Sequence, residues 1–175
     1  MYVFDATPLI YLGRVDRLEI VEAVSARCVV PDPIHEEVVV AGRRAGHPDA
    51  RRVERAIEAE TLSVVAVEET LTYERLCRNQ HLSDADAAVL AVAADRDATA
   101  VVDEQYGRDV ASAEGIDTRG TAYLVLSALK NGVVGGTTAQ ATIDAMVEAG
   151  WYCSPALYAR LSRKIETLSA PREEG

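Results

Sequence analysis

The chain has 175 residues, of which 49% are apolar, so it is long and apolar enough to form one domain with a full hydrophobic core. Its formal net charge of −10 disfavours a protein that binds nucleic acid through a broad basic surface. Abundant acidic residues with scarce Lys are typical of a salt-loving (halophilic) organism, and strong salt weakens the repulsion between an acidic surface and a polyanion.

Short apolar segments alternate with helical patterns over the first 130 residues. The first helix is predicted to start with Thr7 at the N-cap and Pro8 at the first helical position, and a second follows Asp16. Strands are predicted at residues 2–4, 28–30, 62–67, 99–102 and around 116. Further helices are predicted over residues 32–40, 48–60, 68–78, 83–95, 106–114 and 121–130, with a loop over 42–47. Strands separated by helices predict an α/β fold whose mainly parallel sheet is covered on both faces.

The C-terminal part of the chain has a different pattern. Two more helices are predicted over residues 137–149 and 154–168. They are too short to form a second domain, so residues 132–168 are interpreted as a helical pair appended to a single domain of residues 1–168. Residues 169–175 are predicted to form a flexible, charged tail.

Some kinds of site and location are disfavoured. The three Cys and three His residues are scattered and no Cys-x-x-Cys pair occurs, which argues against a disulfide framework or a zinc site. No apolar run reaches the roughly 18 residues that a membrane-spanning helix needs. Because the first residues resemble a strand and lack the regions of a signal peptide, we expect a cytoplasmic protein.

Four acidic points follow short apolar segments. They are Asp5, Glu37, Asp86 and the pair Asp103 and Glu104. An open parallel sheet gathers residues from strand ends and nearby helices into one crevice, where carboxylates without a cation would repel one another. Oxygen ligands with few His or Cys favour Mg²⁺ or Mn²⁺. The sequence therefore predicts a metal-dependent enzyme that acts on a phosphate-bearing substrate.

The first three of these acidic points also have structural interpretations. Asp5 could cap the first helix, although Thr7 is better placed for that role. Glu37 fits an exposed helical position beside the buried face. Asp86 fits a capping box in which Ser83 is the N-cap.

Taken in order, these elements resemble the PIN-domain superfamily of ribonucleases. Residues 1–11 resemble its apolar strand followed by Asp-x-Ser/Thr, and residues 31–38 resemble its Pro-x-x-Val-x-x-Glu-Val element. Residues 82–93 and 101–111 resemble its third and fourth acidic elements. The likeness covers residues 1–168 and points to a poorly characterised prokaryotic branch related to VapC-type toxins.

The resemblance implies a three-layer α/β/α PIN-like fold and hydrolysis of single-stranded RNA with one or two Mg²⁺ or Mn²⁺ ions. It implies Asp5, Glu37, Asp86 and Glu104 as the catalytic metal ligands, with Asp103 in support. The choice between Asp103 and Glu104 as principal ligand stays open, because either acid could bind metal or cap the helix near residue 106. Asp86 is shorter than the Glu common in this branch.

Further residues are interpreted around this site. Thr7 could hydrogen-bond a metal-binding carboxylate or water, or only cap its helix. A dense set of arginines could contact RNA phosphates, although a solvated helix face explains them equally well. These are Arg43, Arg44, Arg51, Arg52 and Arg55.

Partners and rival functions follow. A VapC-like toxin would be neutralised by a small antitoxin protein, and the C-terminal helices could form a homodimer. The alternative function is a non-catalytic PIN-like protein that binds nucleic acid or a partner. A phosphotransferase or phosphatase using Asp5 as nucleophile is a third class, although Thr7 stands where such enzymes commonly carry a second acid.

Overall fold

Five short parallel strands form one sheet in the computed structural model, which describes residues 1–170. The strands are β1 (Tyr2–Phe4), β2 (Cys28–Pro31), β3 (Ser63–Val65), β4 (Thr99–Val101) and β5 (Thr118–Arg119). Their order is β3-β2-β1-β4-β5, and every neighbouring pair is parallel. The predicted α/β fold with a parallel central sheet is confirmed. The last strand lies beyond residue 116, because the Ile116 N–H donates to the Ala111 carbonyl and closes the preceding helix.

Helices connect the strands and flank the sheet. Helix α7 packs against β1, β2 and β4, and α9 packs against α2, α10 and α11. The helices are α1 (Ala6–Arg14), α2 (Glu19–Glu22), α3 (Asp32–His35), α4 (Gly42–Arg44), α5 (Pro48–Glu58), α6 (Leu71–Cys77), α7 (Asp84–Asp95), α8 (Gln105–Ala113), α9 (Thr121–Lys130), α10 (Gly136–Glu148) and α11 (Pro155–Ser169), with a π-helical segment (Glu36–Ala41) between α3 and α4.

The start of α1 differs from its prediction. Asp5 is the N-cap, with an extended backbone (φ −77°, ψ 167°), and its Oδ1 accepts from the Ala6 N–H at 2.7 Å. Thr7 and Pro8 lie inside the first turn, so the prediction of Thr7 as N-cap was wrong. Proline fits there because N–H groups of the first helical turn have no intrahelical partner.

The helix after β2 is longer than predicted. It runs without a break through α3, the π-helical segment and α4, so the predicted loop begins only after Arg44. Gly42 lies inside this helix, and the packing explains why it is a glycine: a Cβ there would lie 2.9 Å from the Cβ of Ala50 on α5. The close approach of α4 and α5, rather than a turn, explains this glycine. Gly46, with φ +78°, ends the segment.

Helix α7 is the central helix of the core. Its residues 87–93 are all buried, and it begins with the predicted capping box, in which Ser83 and Asp86 exchange hydrogen bonds. The C-terminal helices α10 and α11 pack on α9, and α10 also contacts α1. Ser169, assigned to the tail by prediction, lies in α11, whereas residues 171–175 of that tail lie outside the described residues. Within residues 1–170, no helix is both long and apolar enough to cross a membrane.

Candidate active site

The acids meet where the strand order reverses. β1 and β4 are neighbours in the sheet, but the chain leaves β1 toward β2 on one side and β4 toward β5 on the other. The C-terminal ends of such strands border a crevice in open α/β sheets. Asp5 follows β1, and Asp103 and Glu104 follow β4. The Asp5 N–H donates to the Val101 carbonyl at 3.1 Å and holds the two strand ends together.

A narrow crevice lies at this point of the sheet. Three predicted site residues, Asp5, Asp86 and Glu104, line it. Its other walls are formed by Leu82, Val89, Leu90, Val102 and Gly107. The crevice has room for about one water molecule. The structure therefore brings three acids from three elements to one apolar-walled crevice.

Asp5 is the buried carboxylate of this group, with 5% of its surface exposed. Burial raises its pKa to about 7, and the negative charges of Asp86, Glu37 and Asp103 add to the rise, while the hydrogen bond from the Ala6 N–H opposes it. The crevice therefore lies close to all four acidic points of the sequence. Asp86, Glu37 and Asp103 act on the pKa of Asp5, and Glu104 lines the crevice directly. A carboxylate in such surroundings resists ionisation unless a cation compensates it.

Helix capping leaves carboxylate oxygens free for another role. Asp5 uses Oδ1 as helix cap, and Asp86 uses Oδ2 to accept from the Ser83 hydroxyl at 2.7 Å and its N–H at 3.2 Å. Oδ2 of Asp5 and Oδ1 of Asp86 accept no hydrogen bond from residues 1–170. Glu104 is the N-cap residue of α8, but its side chain makes no capping bond. Capping and cation binding are therefore compatible at these positions.

The two acids after β4 have different surroundings. Oδ1 of Asp103 accepts from the Thr121 N–H at 2.8 Å, and Oδ2 accepts from the Thr121 hydroxyl at 2.6 Å and the Trp151 indole N–H at 2.9 Å. The Arg108 guanidinium lies 3.7 Å from Oδ1. Asp103 thus ties the start of α9 and the segment before α11 to the end of β4, whereas Glu104 faces the crevice.

Sequence reasoning missed the Asp103 network. Trp151 is the single Trp of the chain, and that is the sequence signal that could have drawn attention to it. In the structure it is buried. Gly120 has a packing reason within this network, since a Cβ there would lie 2.9 Å from Asp103 Oδ1 and would collide with the Arg108 guanidinium. These partners lie 18 and 48 residues from Asp103 in sequence.

Glu37 and Thr7 lie beside the crevice without lining it. Glu37 is exposed on the π-helical segment, yet near enough to Asp5 to raise its pKa. π-Helical turns are frequent at functional sites, and the β-branched run at residues 38–40 is the only local sequence sign of this one. Thr7 is half-buried and lines an adjoining groove with Asp103 and Glu104.

The predicted RNA-contacting arginines lie on α4 and α5, outside the crevice. Arg43 pairs with Glu54, and Arg52 pairs with Asp16 at 2.9 Å. Arg44 lies 3.9 Å from Glu36. The remaining two, Arg51 and Arg55, are exposed and form no ion pair within residues 1–170. A role for this set in RNA binding stays a prediction.

The donor atoms of these acids suit a hard divalent cation, but their side chains are not yet arranged around a common point. Oxygen is their sole donor type, which suits Mg²⁺ or Mn²⁺, and the buried Asp5 forms no ion pair with any side chain of residues 1–170. However, no three His, Cys, Asp or Glu side chains among residues 1–170 are close enough to hold a metal ion as they stand. Binding of an ion by three of these acids therefore requires side-chain movement, and Glu37 and Glu104 are exposed.

The comparison with known protein families gave a match over most of the chain. A family model described as a PIN domain matches residues 1–167. The comparisons with curated proteins and with solved structures gave no match. Since the family match covers nearly the whole chain, and so includes the sheet, the crevice and the C-terminal helices, the chain belongs to the PIN-domain family.

Proposed function

We propose that the protein is a metal-dependent endoribonuclease that cleaves single-stranded RNA. PIN domains are generally nucleases, which sets the reaction class. The observation that carries the proposal is Asp5, a buried carboxylate with a pKa raised to about 7 and other acids around it. Such a group is costly to ionise without a partner, and perturbed carboxylates of this kind cluster at functional sites.

The catalytic roles are assigned to side chains at the crevice. Asp5, Asp86, Glu104 and Glu37 would hold the ion or ions, and Asp103 would support them by fixing the end of β4. A bound Mg²⁺ or Mn²⁺ supplies activation of water and stabilisation of charge at the phosphate. The apolar walls of the crevice, formed by Leu82, Val89, Leu90 and Val102, limit the access of bulk water, and this strengthens electrostatic interactions inside the crevice.

An extended single strand is the substrate that suits this crevice. Asp5 is almost fully buried, so a phosphate must approach closely to reach an ion held there. A flexible single strand can make that approach more easily than a rigid duplex. The net charge of −10 repels RNA, and added salt screens this repulsion, so RNA affinity is expected to rise with salt at first. At higher salt, affinity is expected to fall because the local contacts to phosphate are weakened as well.

Cleavage of an RNA pool containing structured and single-stranded segments tests the proposal, with Mg²⁺ or Mn²⁺ at high salt. We expect cutting by the native chain and none with EDTA or with Asp5→Asn. Asp86→Asn should also be inactive, whereas Asp84→Asn, which removes a charge in the same helical turn outside the crevice, should cut normally. Equal cutting by all variants, or by the native chain in EDTA, contradicts the assignment.

A non-catalytic binding protein is the second candidate. It is favoured by the fact that no three acids within residues 1–170 are already close enough to hold a metal ion. Calorimetric titration with Mn²⁺ separates the two functions. Binding that is lost in Asp5→Asn supports the nuclease, and no binding to a folded native chain supports the binding protein.

The VapC-like role and the homodimer are further parts of the proposal. A small antitoxin would act by covering the acidic crevice, and paired C-terminal helices would form the dimer. Light scattering of the purified chain measures the oligomeric state, and a stable monomer at high concentration contradicts the dimer. Growth arrest on expression, lost in Asp5→Asn, is expected of a toxin.

A further inference from the structure

A larger groove adjoins the acidic crevice. It has a volume of about 710 Å³, within the usual range of roughly 300 to 1,000 Å³ for ligand sites. Glu104 lines both the groove and the crevice, so the two are continuous at this residue. The groove is lined by α1, by the start of α8, and by the segment that joins α10 to α11 together with the first turns of α11.

Tyr152 stands at this groove as an exposed aromatic side chain that follows an anchored stretch of backbone. It has 87% of its surface exposed, the largest value among the large apolar side chains of residues 1–170. The residues before it are anchored, because the Trp151 indole donates to Asp103 at 2.9 Å and the Tyr11 hydroxyl donates to the Gly150 carbonyl at 3.0 Å. Because the backbone before it is anchored, binding of a flat partner has to fix only the side-chain torsions of this tyrosine, which lowers the entropic cost.

Arg160 supplies the free positive charge of the groove. It is exposed on α11 and forms no ion pair within residues 1–170. Arg108, the other arginine there, is engaged with the Val102 carbonyl at 2.8 Å and with Asp103. The acid Asp103 has its own donors, so it does not neutralise Arg160.

We propose that this groove binds a nucleotide next to the scissile phosphate of single-stranded RNA, with its base stacked on Tyr152 and its phosphate paired with Arg160. The inference rests on the proposed function, because it takes Glu104 as the link to the reaction centre. Stacking accepts any base, and the Arg guanidinium matches a phosphate with two parallel hydrogen bonds. A strand entering the crevice at Glu104 can continue directly into this groove.

Fluorescence anisotropy with a short, labelled, single-stranded RNA of mixed sequence tests the groove, in an Asp5→Asn background that prevents cutting. Tyr152→Ala is expected to weaken binding about 5- to 150-fold, the equivalent of one lost stacked base, whereas Tyr152→Phe should bind like its parent. In the range of salt concentration where affinity falls, Arg160→Ala is expected to make the slope of log affinity against log salt less negative by about 0.7. Arg163→Ala, which removes an exposed charge on the same helix outside the groove, should change neither value.

Cleavage kinetics in the otherwise native chain give a second measurement. Tyr152→Ala should raise KM with little change in kcat, because it removes binding that is equal in ground and transition states. The groove inference is overturned if the native chain cuts RNA and the Tyr152→Ala and Arg160→Ala variants bind and cut RNA equally well. The proposal of a nuclease is unaffected by that result. A groove that binds a partner peptide and not RNA would give the same result. If the native chain neither binds nor cuts RNA, both proposals fall. Circular dichroism confirms that the variants are folded.

Discussion

Replacing Asp5 by Asn is expected to stabilise the metal-free protein at neutral and alkaline pH while abolishing its activity. Asp5 is buried and its pKa is raised to about 7, so above this pH the folded chain contains a charge in an unfavourable place. Asn is as good an N-cap as Asp and keeps a side-chain oxygen for the Ala6 N–H. The substitution therefore removes the charge and leaves the cap.

The magnitude follows from the pKa of the folded and unfolded chains. Between pH 3.8 and about 7, the folded chain keeps a proton on Asp5 that the unfolded chain has released, so the free energy of unfolding falls as pH rises. The destabilisation is absent below pH 3.8 and complete above about pH 7. The interval from 3.8 to about 7, at 1.36 kcal/mol per pKa unit, corresponds to about 4 kcal/mol. Asp5→Asn should be more stable by up to this amount at about pH 8, with the difference vanishing near pH 4.

Urea unfolding over this pH range in EDTA measures the effect. Asp117→Asn, which removes one exposed acidic charge elsewhere, is the matched control and should follow the native curve. Adding Mg²⁺ at alkaline pH should stabilise the native chain, because an ion that binds only the folded state shifts unfolding by mass action, and should leave Asp5→Asn unchanged.

The reasoning is refuted if native and Asp5→Asn proteins lose stability in parallel between pH 4 and pH 8. It is also refuted if Asp117→Asn stabilises as much as Asp5→Asn, since overall charge repulsion would then be the cause. A stabilised Asp5→Asn protein that still cleaves RNA would keep the electrostatic argument and contradict the catalytic one.

The remaining predictions concern pairs of adjacent acids. Glu37→Gln should reduce cleavage strongly, and Glu36→Gln, a neighbouring exposed acid, should not; equal rates would remove Glu37 from the site. Glu104→Gln should abolish cleavage with little loss of stability. Asp103→Asn should destabilise the protein by about 1–3 kcal/mol, measured by urea unfolding, because charged hydrogen bonds are weakened and Trp151 loses a charged acceptor. It should also shift Trp151 fluorescence, which Glu104→Gln should leave unchanged.

The fold and the meeting of the acids could be predicted because both depend on local patterns. Apolar segments between helices require a parallel sheet, and parallel strands put Asp5 and Glu104 at the same edge. Helix α9 was predicted with its observed bounds, Thr121–Lys130, and the capping box at Ser83 was read directly from sequence. The bounds of α9 and the capping box are each set by residues within one or two helical turns, and the alternation of such local patterns is what predicts the parallel sheet.

Features that depend on contacts between distant residues could not be predicted. Gly42 looked like a loop residue, yet it allows α4 to approach Ala50 on α5. Thr7 and Asp5 are both good caps, and only the backbone geometry at Asp5 decides between them. The π-helical segment that carries Glu37 has no regular sequence signal beyond its β-branched residues.

The double acid after β4 is best explained by two separate requirements. Asp103 can turn toward the crevice only by giving up donors from Thr121 and Trp151, which would leave buried polar groups unpaired and release the segment before α11. Under the proposed assignment, a second carboxylate is then required to bind the ion together with Asp5, and Glu104, which lines the same crevice, is the acid available for this role. On this assignment we expect that Asp103 does not replace Glu104 when the latter is lost. The position of Tyr152 at the groove depends on Asp103 through the hydrogen bond from Trp151, whether or not Asp103 binds metal.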